Sequence, residues 1–273
     1  MGISCSPLRY PGGKNQMYDT VLAIIESNQL KGCHYVEPFA GGAGIAIRLL
    51  FDEIVSEITI NDFDIAIYSF WHSIIHRTAD FIGLIEKTPI TVNEWYRQKN
   101  IYTNPTMYTV LELGFATFFL NRTNRSGVLN AGPIGGFSQN GNYTIDCRFN
   151  KLRLIALIKK IAEQREKINV SNVDAKILIA DFESNNTFFF IDPPYFNKGK
   201  KLYANFFEHS DHRELARIIE SSLQMTPWIV TYDICEEIRD IYSHKVANTL
   251  SLHYSLQSKK KASEYMFCNK VLV

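Results

Sequence analysis

Residues 34–51 read HYVEPFAGGAGIAIRLLF, and this stretch decides the fold of the 273-residue chain. The segment 34–39 looks like a strand, the glycines at 41, 42 and 44 break it, and 45–51 has the apolar spacing of a helix. A second strand is predicted at 57–61, where Asp62 follows directly. A strand, a glycine turn, a helix and a further strand are typical of a parallel sheet. We therefore predict an α/β fold.

The pattern changes after this first third of the chain. Helical spacing predicts a series of helices between breakers such as Pro89 and Pro105, at 65–77, 78–87, 92–101, 106–120 and 149–167. Alternation then resumes with a helix at 211–224, where Asp211 and Glu214 have capping-box spacing. The further strands are predicted at 177–182, 187–191, 228–232, 245–252 and 264–272. This organisation predicts an α/β domain formed by 1–66 and 169–273, interrupted by a helical insert at 67–168. The Gly- and Asn-rich stretch 124–142 of the insert is predicted to be a loop or a hairpin, with the hairpin near 121–147.

Charge is balanced overall but concentrated in the insert. The chain has 29 Lys and Arg residues against 28 Asp and Glu residues, which excludes a uniformly basic DNA-coating protein. Residues 121–160 nevertheless carry seven basic side chains and one acid, Asp146: Arg122, Arg125, Arg148, Lys151, Arg153, Lys159 and Lys160. Such a run is either a set of solvated faces or a track for a polyanion.

Other composition features exclude several classes. The five cysteines are scattered without a C-x-x-C pair, which predicts reduced thiols, no metal and a cytoplasmic location. No apolar run approaches the 18 or so residues of a membrane span, and the first residues lack the apolar stretch of a signal peptide. We also expect a monomer in solution.

The glycine turn FAGGAG at 39–44 predicts a nucleotide-like ligand. Glycines after a strand let such a ligand approach the backbone at the carboxyl end of a sheet. Asp62 lies 20 residues past Gly42, where an acid can accept hydrogen bonds from ribose hydroxyls. The sequence does not match the dinucleotide fingerprint G-x-G-x-x-G, because Ile47 stands where the third glycine after Gly42 and Gly44 is required. The pattern therefore favours a ribose-bearing ligand other than NAD over the alternative of a tight turn that binds no ligand.

A second motif, DPPY at 192–195, follows the apolar run 188–191. Two prolines cannot continue a strand ladder, so the chain leaves the sheet stiffly. Asp192 and the carbonyl of Pro193 become fixed acceptors, and Tyr195 offers a flat ring beside them. This arrangement suits an exocyclic amine, whose two N–H groups bind two acceptors while its ring stacks on the tyrosine.

Taken in order along the chain, the motifs resemble a known family. They are PLRYPGGK at 7–14, VEPFAGGAG at 36–44, the strand-end Asp62, NRTNRSG at 121–127 and DPPY. This series is similar to the Dam-like, or D12 class, adenine-specific DNA methyltransferases. The resemblance implies a Rossmann-like S-adenosylmethionine-dependent sheet with a helical target-recognition insert. It also implies methyl transfer to adenine N6 in double-stranded DNA, as in restriction-modification systems.

The resemblance also implies roles for particular residues. Those expected to line the S-adenosylmethionine pocket are Tyr10, Lys14, Glu37, Phe39, Gly41, Gly42, Asp62, Asp181, Phe182 and Asp192. Those expected to take the target base are Asp192, Pro193, Pro194 and Tyr195. Those expected to read DNA are Asn121, Arg122, Asn124, Arg125, Asn130 and Gln139. The stretch after Arg125 lacks the Arg- and Asn-rich continuation of the GATC-methylating members, so GATC is not predicted.

The implied chemistry needs a flipped base. A stacked adenine cannot reach the pocket, so flipping costs a few kcal/mol, part of which stacking on Tyr195 offsets. Because the ring carries that role, Tyr195→Phe is expected to keep most activity. Amino-methyl transfer to cytosine N4, RNA adenine or a protein glutamine stays open, as does a catalytically idle DNA-binding module.

Overall fold

The computed structural model describes residues 5–9, 14–182, 186–196, 207–255 and 259–269; it leaves out the side chains of 15, 250–255 and 259–262. The chain divides into two compact units. The helical unit comprises Met1–Pro11 and Ile65–Val170, and the sheet unit comprises Gly12–Asp64 and Ser171–Val273. The first eleven residues thus group with the helices, whereas the sequence analysis placed 1–66 with the sheet. The function of each unit stays a prediction.

Seven strands in the described part of the chain form one sheet in the order β3-β2-β1-β4-β5-β7-β6. They are β1 (His34–Glu37), β2 (Glu57–Asn61), β3 (Ile168–Ser171), β4 (Thr187–Ile191), β5 (Trp228–Asp233), β6 (Asn248–Ser255) and β7 (Lys259–Cys268). β1 is parallel to β2 and β4, and β4 is parallel to β5. β7 is antiparallel to both β5 and β6. The sheet is therefore Rossmann-like, with the antiparallel strand β7 inserted between β5 and β6.

The central strands position the site. Every residue of β4 and β5 is buried, as expected for parallel strands covered on both faces. The strand order runs outward in opposite directions from β1 and β4. In open α/β sheets this reversal leaves a crevice at the carboxyl ends of the two strands, where ligands bind. The glycine turn follows β1, and DPPY follows β4.

Five labelled helices belong to the sheet unit: α1 (Tyr18–Ser27), α2 (Gly44–Phe51), α8 (Ala175–Ala180), α9 (His209–Ser222) and α10 (Glu236–Ile241). Residues 177–182 were predicted as a strand, and this was wrong, because most of them lie in α8. The Asp174 side chain accepts a hydrogen bond from Lys176 N at 2.7 Å and starts that helix. The predicted capping box is also shifted by one turn, since Glu208 and Asp211 form it.

The helical unit contains α3 (Ile65–His76), α4 (Thr78–Lys87), α5 (Val92–Thr103), α6 (Val110–Thr123) and α7 (Lys151–Ala162). α6 starts four residues later than predicted because Thr109 caps it with Glu112. The core of the helical unit contains aromatic rings in edge-on and stacked contacts: Phe70, Phe81, Phe115, Phe118 and Phe149. No helix in the described ranges is long and apolar enough to cross a membrane.

The hairpin predicted near 121–147 does not form. Residues 124–150 are all described and contain no strand, only an isolated bridge between Asn124 and Pro133. Positive φ angles at Ser126, Gly127 and Gln139 interrupt an extended backbone, and Pro133 has no N–H for a ladder. A Cβ on Gly127 would lie 2.3 Å from the carbonyl oxygen of Arg9. The segment is therefore a compact loop held by side chains.

Candidate active site

The DPPY loop is anchored at both ends by β5. The Thr231 hydroxyl donates to Asp192 Oδ1 at 2.7 Å, and Asp233 Oδ1 accepts from the backbone N–H of Phe196 at 2.9 Å. Thr231 and Asp233 are two residues apart, so their side chains leave the same face of the strand. One buried strand thus fixes where the loop starts and where it ends.

Lys14 lies against the first residue of this loop. Its Nζ is 2.8 Å from Asp192 Oδ1 and 2.5 Å from Glu264 Oε2, and it donates to Thr231 Oγ1 at 3.2 Å. These three contacts use all three donors of an ammonium group. Burial would lower the pKa of Lys14, but the carboxylates of Asp192 and Glu264 outweigh burial and raise it. Lys14 is therefore a fixed cation at neutral pH.

Asp192 keeps an acceptor for a ligand. Within the described residues its Oδ1 takes both contacts from Lys14 and Thr231, while Oδ2 and the carbonyl oxygen of Pro193 accept no hydrogen bond. Burial raises the pKa of Asp192; Lys14 opposes that rise and Glu264 adds to it, and the pKa stays above its ordinary value. Two acceptors on successive residues are what the two N–H groups of an amine need.

Tyr195 is almost completely buried. Only 7% of the residue is exposed, and its hydroxyl donates a hydrogen bond to Glu264 Oε1. Lys14 Nζ lies 5.5 Å from the centre of the tyrosine ring, within cation–π range. The ring is thus held at its hydroxyl and covered by a cation on one side.

The glycine turn is fastened to the next strand by Asp62. Gly41 N donates to Asp62 Oδ2 and Asp64 N to Oδ1, both at 2.9 Å. Gly41 and Ala43 have positive φ angles of 47° and 43°, which turn the chain sharply into α2. Burial raises the pKa of Asp62 to about 7, although the two backbone N–H bonds work against that rise. Asp62 is therefore a partly buried acceptor beside the buried backbone of the glycine turn.

Glu37 closes the other side of this turn. Its Oε1 accepts from Tyr35 OH at 3.1 Å and from Ala46 N in the first turn of α2 at 3.2 Å. Burial raises the pKa of Glu37 to about 8, and the charge of Asp192 contributes to the rise. Phe39 is half-buried and packs edge-on against Phe207, with ring centres 5.7 Å apart. The two motifs of the sheet unit therefore face a common group of carboxylates.

The remaining predicted cofactor residues differ in their placement. Tyr10 lies outside the described residues. Gly42 is buried in the turn. Asp181 is exposed at the end of α8 and not on a strand. Phe182 packs against the rings of His34 and Phe189 at 5.2 and 5.1 Å, so its ring is partly committed to the core.

Sequence reasoning missed Thr231, Asp233 and Glu264. Glu264 is only 2% exposed and stands opposite Asp233 in the antiparallel pairing of β7 with β5. The only signal in the sequence is an acid within the apolar strand SEYMFC. In the described part of the chain, His, Cys, Asp and Glu side chains form no group of three that could hold a metal ion.

Three residues predicted to read DNA are occupied within the helical unit. Asn121 is 1% exposed, accepts from Arg9 N at 2.6 Å and donates to Gly127 O at 2.9 Å. Asn124 is fully buried and accepts from Trp95 Nε1 at 2.6 Å. Gln139 accepts from Ile145 N at 2.7 Å and donates to Ile134 O at 2.8 Å. These amides organise the loop and are not available to a base edge in this conformation.

Arg122, Arg125 and Asn130 are placed differently. Arg125 and Asn130 are exposed. Burial and the positive charges of Arg9, Arg153 and Arg148 lower the pKa of Arg122 to about 10. The Nε of Arg122 is buried without a hydrogen-bond partner in the described structure. Arg122, Arg9, Arg148 and Arg153 form no ion pair among the described residues. In the described residues of the helical unit, Arg9, Arg122, Arg148 and Arg153 thus form a group of cations without a carboxylate partner.

Comparison with known proteins identifies the family. Among solved structures, a proposed RNA methyltransferase from Pyrococcus horikoshii is 10% identical with a TM-score of 0.43, covering 96% of this chain and 85% of that one. A proposed methyltransferase from Escherichia coli is 9% identical with a TM-score of 0.39, covering 93% and 84%. No curated protein sequence matches. The sequence model of the D12 class N6 adenine-specific DNA methyltransferases matches residues 10–259, which is most of the chain. The chain therefore belongs to the D12 class N6 adenine-specific DNA methyltransferase family.

Proposed function

We propose that this adenine N6 DNA methyltransferase binds the amino group of its target adenine with Asp192 and the carbonyl oxygen of Pro193. The observation that carries the proposal is that the two carboxylate oxygens of Asp192 have different surroundings. Oδ1 is fixed by Lys14 and Thr231 at 2.8 and 2.7 Å, which leaves Oδ2 and the neighbouring carbonyl as acceptors. Two fixed acceptors match the two N–H groups of adenine N6.

These acceptors also supply the chemistry that the amine needs. The lone pair of adenine N6 is delocalised into the ring, so the nitrogen is a poor nucleophile. Hydrogen bonds to Asp192 and Pro193 favour a tetrahedral nitrogen and orient its lone pair. Pro194 stiffens the loop, and Tyr195 supplies a ring face for the flipped base. The site works by positioning and electrostatics, without a covalent enzyme intermediate.

The glycine turn fits S-adenosylmethionine. Asp62 is a partly buried carboxylate directly after β2, where it can accept hydrogen bonds from ribose hydroxyls while it fastens the backbone of Gly41. Glu37, Phe39 and Gly42 complete the same side of the crevice, and Lys14 and Asp192 border it. Bound S-adenosylmethionine supplies an electrophilic methyl group to this site.

The helical unit is the proposed DNA-recognition part. Arg122 and its neighbours Arg9, Arg148 and Arg153 form a concentration of positive charge without carboxylate partners in the described structure. Such a group costs free energy through mutual repulsion, and a phosphate would remove that cost. Arg125 and Asn130 are exposed beside it and are the remaining candidates for base contacts. Duplex DNA, a monomeric enzyme and a cytoplasmic location stay parts of this proposal.

Transfer of tritium from labelled S-adenosylmethionine to duplex DNA tests the function. We expect label in DNA as N6-methyladenine, identified by mass spectrometry of the nucleosides, and its near loss in Asp192→Ala. Asp240→Ala, which removes an exposed carboxylate from α10, serves as the matched control. Label in cytosine, RNA or protein would support a different acceptor, and no transfer by the wild type would support an idle DNA-binding module.

A further inference from the structure

Glu264 joins two ends of the chain beside the proposed catalytic aspartate. Its Oε2 is 2.5 Å from Lys14 Nζ, and its Oε1 accepts a hydrogen bond from Tyr195 OH. The residue stands on β7, 2% exposed, opposite Asp233 of β5. A single carboxylate therefore holds both the cation that contacts Asp192 and the ring that ends the DPPY loop.

A buried carboxylate at this place is costly unless it is paired. Removing an ionised carboxylate from water costs several kcal/mol, and an ion pair with further hydrogen bonds offsets that cost. A neutral glutamine would fill the same volume without an ionic cost. The charge of Glu264 therefore has a consequence that packing alone does not require: it divides the attraction of Lys14 between two carboxylates.

We propose that Glu264 is a positioning residue, which holds Lys14 and Tyr195 so that Asp192 is anchored through Oδ1 and remains a strong hydrogen-bond acceptor through Oδ2. The inference rests on the proposed function, because it assigns Asp192 to the target amine. Glu264 touches neither substrate nor cofactor in this scheme and acts only through its two neighbours.

Electrostatics supports this role. The charged and titratable groups that face Asp192 are Lys14, Glu264, Glu37 and the phenols of Tyr35 and Tyr232. Burial raises the pKa of Asp192 most, Lys14 lowers it, and Glu264 raises it. Without the charge of Glu264, Lys14 would be paired with Asp192 alone. The pKa of Asp192 would then fall, and its carboxylate would be a weaker acceptor.

The same contact revises the expectation for Tyr195→Phe. Sequence reasoning gave Tyr195 a stacking ring only, which a phenylalanine retains. The structure adds a hydroxyl that binds Glu264 Oε1. We now expect Tyr195→Phe to lower kcat while leaving the charge of Glu264, and hence the pKa of Asp192, in place.

The test compares Glu264→Gln, Tyr195→Phe and the double variant in full-length protein by single-turnover methylation of duplex DNA across pH. For Glu264→Gln we expect kcat to fall about tenfold or more, as for a lost hydrogen bond to a charged group, with little change in S-adenosylmethionine affinity. The acidic limb of its pH profile should move to lower pH. For Tyr195→Phe that limb should not move. The double variant should lose less than the product of the two single losses, because both changes weaken the same contact between residues 195 and 264.

Other results would overturn the inference. If Glu264→Gln has the kcat of the wild type and the acidic limb of its pH profile does not move, Glu264 has no positioning role. A loss of kcat with an unmoved limb and independent effects in the double variant would make Glu264 merely structural. If Glu264→Gln does not fold, Glu264→Asp and Tyr195→Phe decide, since either at wild-type kcat contradicts the proposal. Glu236→Gln, an exposed acid on α10, is the control. Absence of methyl transfer by the wild type would instead contradict the proposed function.

Discussion

Replacement of Asp62 by alanine should weaken S-adenosylmethionine binding. The carboxylate accepts two backbone N–H bonds at 2.9 Å and is the proposed acceptor for a ribose hydroxyl. A hydrogen bond to a charged group contributes about 1.5–3 kcal/mol, which corresponds to roughly 10- to 150-fold in the dissociation constant. Release of Gly41 N from its partner loosens the turn and adds to the loss. Isothermal titration calorimetry measures the change directly.

The pH dependence of binding gives a second measure of the same residue. Because the pKa of Asp62 in the free protein is about 7, the carboxylate is ionised in about one-tenth of molecules at about pH 6 and in about nine-tenths at about pH 8. If only the ionised form accepts from ribose, the dissociation constant should fall up to about tenfold between these pH values. The Asp62 contribution to this pH dependence should disappear in Asp62→Ala.

Asp64→Ala is the matched control for this experiment. It removes a carboxylate two residues away but keeps the backbone N–H that donates to Asp62. We expect near wild-type affinity at about pH 8 and a pH midpoint shifted downward, because the charge of Asp64 contributes to the raised pKa of Asp62. Unchanged affinity in Asp62→Ala at both pH values would refute the ribose assignment.

Three further predictions follow from other parts of the structure. Glu37→Gln should raise the free energy of unfolding relative to wild type, by a margin that grows as pH rises from about 4.5 to about 8. The reason is that the pKa of Glu37 is raised in the folded state, so the stability of the wild type falls over that pH range. Thermal melts across pH measure this difference in stability. Thr231→Val should lower kcat about tenfold or more with near wild-type cofactor affinity, since Asp192 Oδ1 then keeps only Lys14. Changing Arg122 and Arg125 together to glutamine should weaken DNA binding and flatten the salt dependence by about 0.9 per lost phosphate contact, whereas Arg77→Gln should not.

Each of these predictions has a defined failure. A constant stability difference across pH would contradict the raised pKa of Glu37. Thr117→Val removes a buried hydroxyl that binds within its own helix, so kinetics equal to those of Thr231→Val would show that the loss at Thr231 is not specific. DNA affinity and salt slope equal to wild type in the arginine variant would exclude Arg122 and Arg125 as contacts.

Local signals in the sequence were sufficient for most of the sheet unit. The strand at 57–61 occupies the predicted residues, where polar and apolar residues alternate. The strand at 187–191 does too, because a continuous apolar run between turn residues is typical of a buried parallel strand. Residues 177–180 were misread for the same reason. Their apolar run fits a strand or a buried helix, and the cap at Asp174 decided in favour of the helix.

Long-range pairing could not be predicted from the sequence. Lys14 and Glu264 are 250 positions apart, and their contact depends on the antiparallel register of β7 against β5. Likewise, Asn121 has an amide side chain of the kind that can bind a base edge. In the structure this amide is hydrogen-bonded to the backbone of Arg9, 112 positions away. Motif reasoning identifies which side chains can do chemistry, whereas only packing shows which of them are already engaged.

The position of β7 between β5 and β6 sets the time at which the site is complete during synthesis. Asp192 and Thr231 are made well before Glu264, and β7 must enter beside β5 after β6 has already emerged. Until then, β5 presents an unpaired edge that can join another chain, and Lys14 lacks its second carboxylate. A nascent chain that stops before β7 would thus lack both a protected sheet edge and a balanced charge at Asp192. If Glu264 has the proposed positioning role, catalytic competence requires that β7 has been made and has paired with β5.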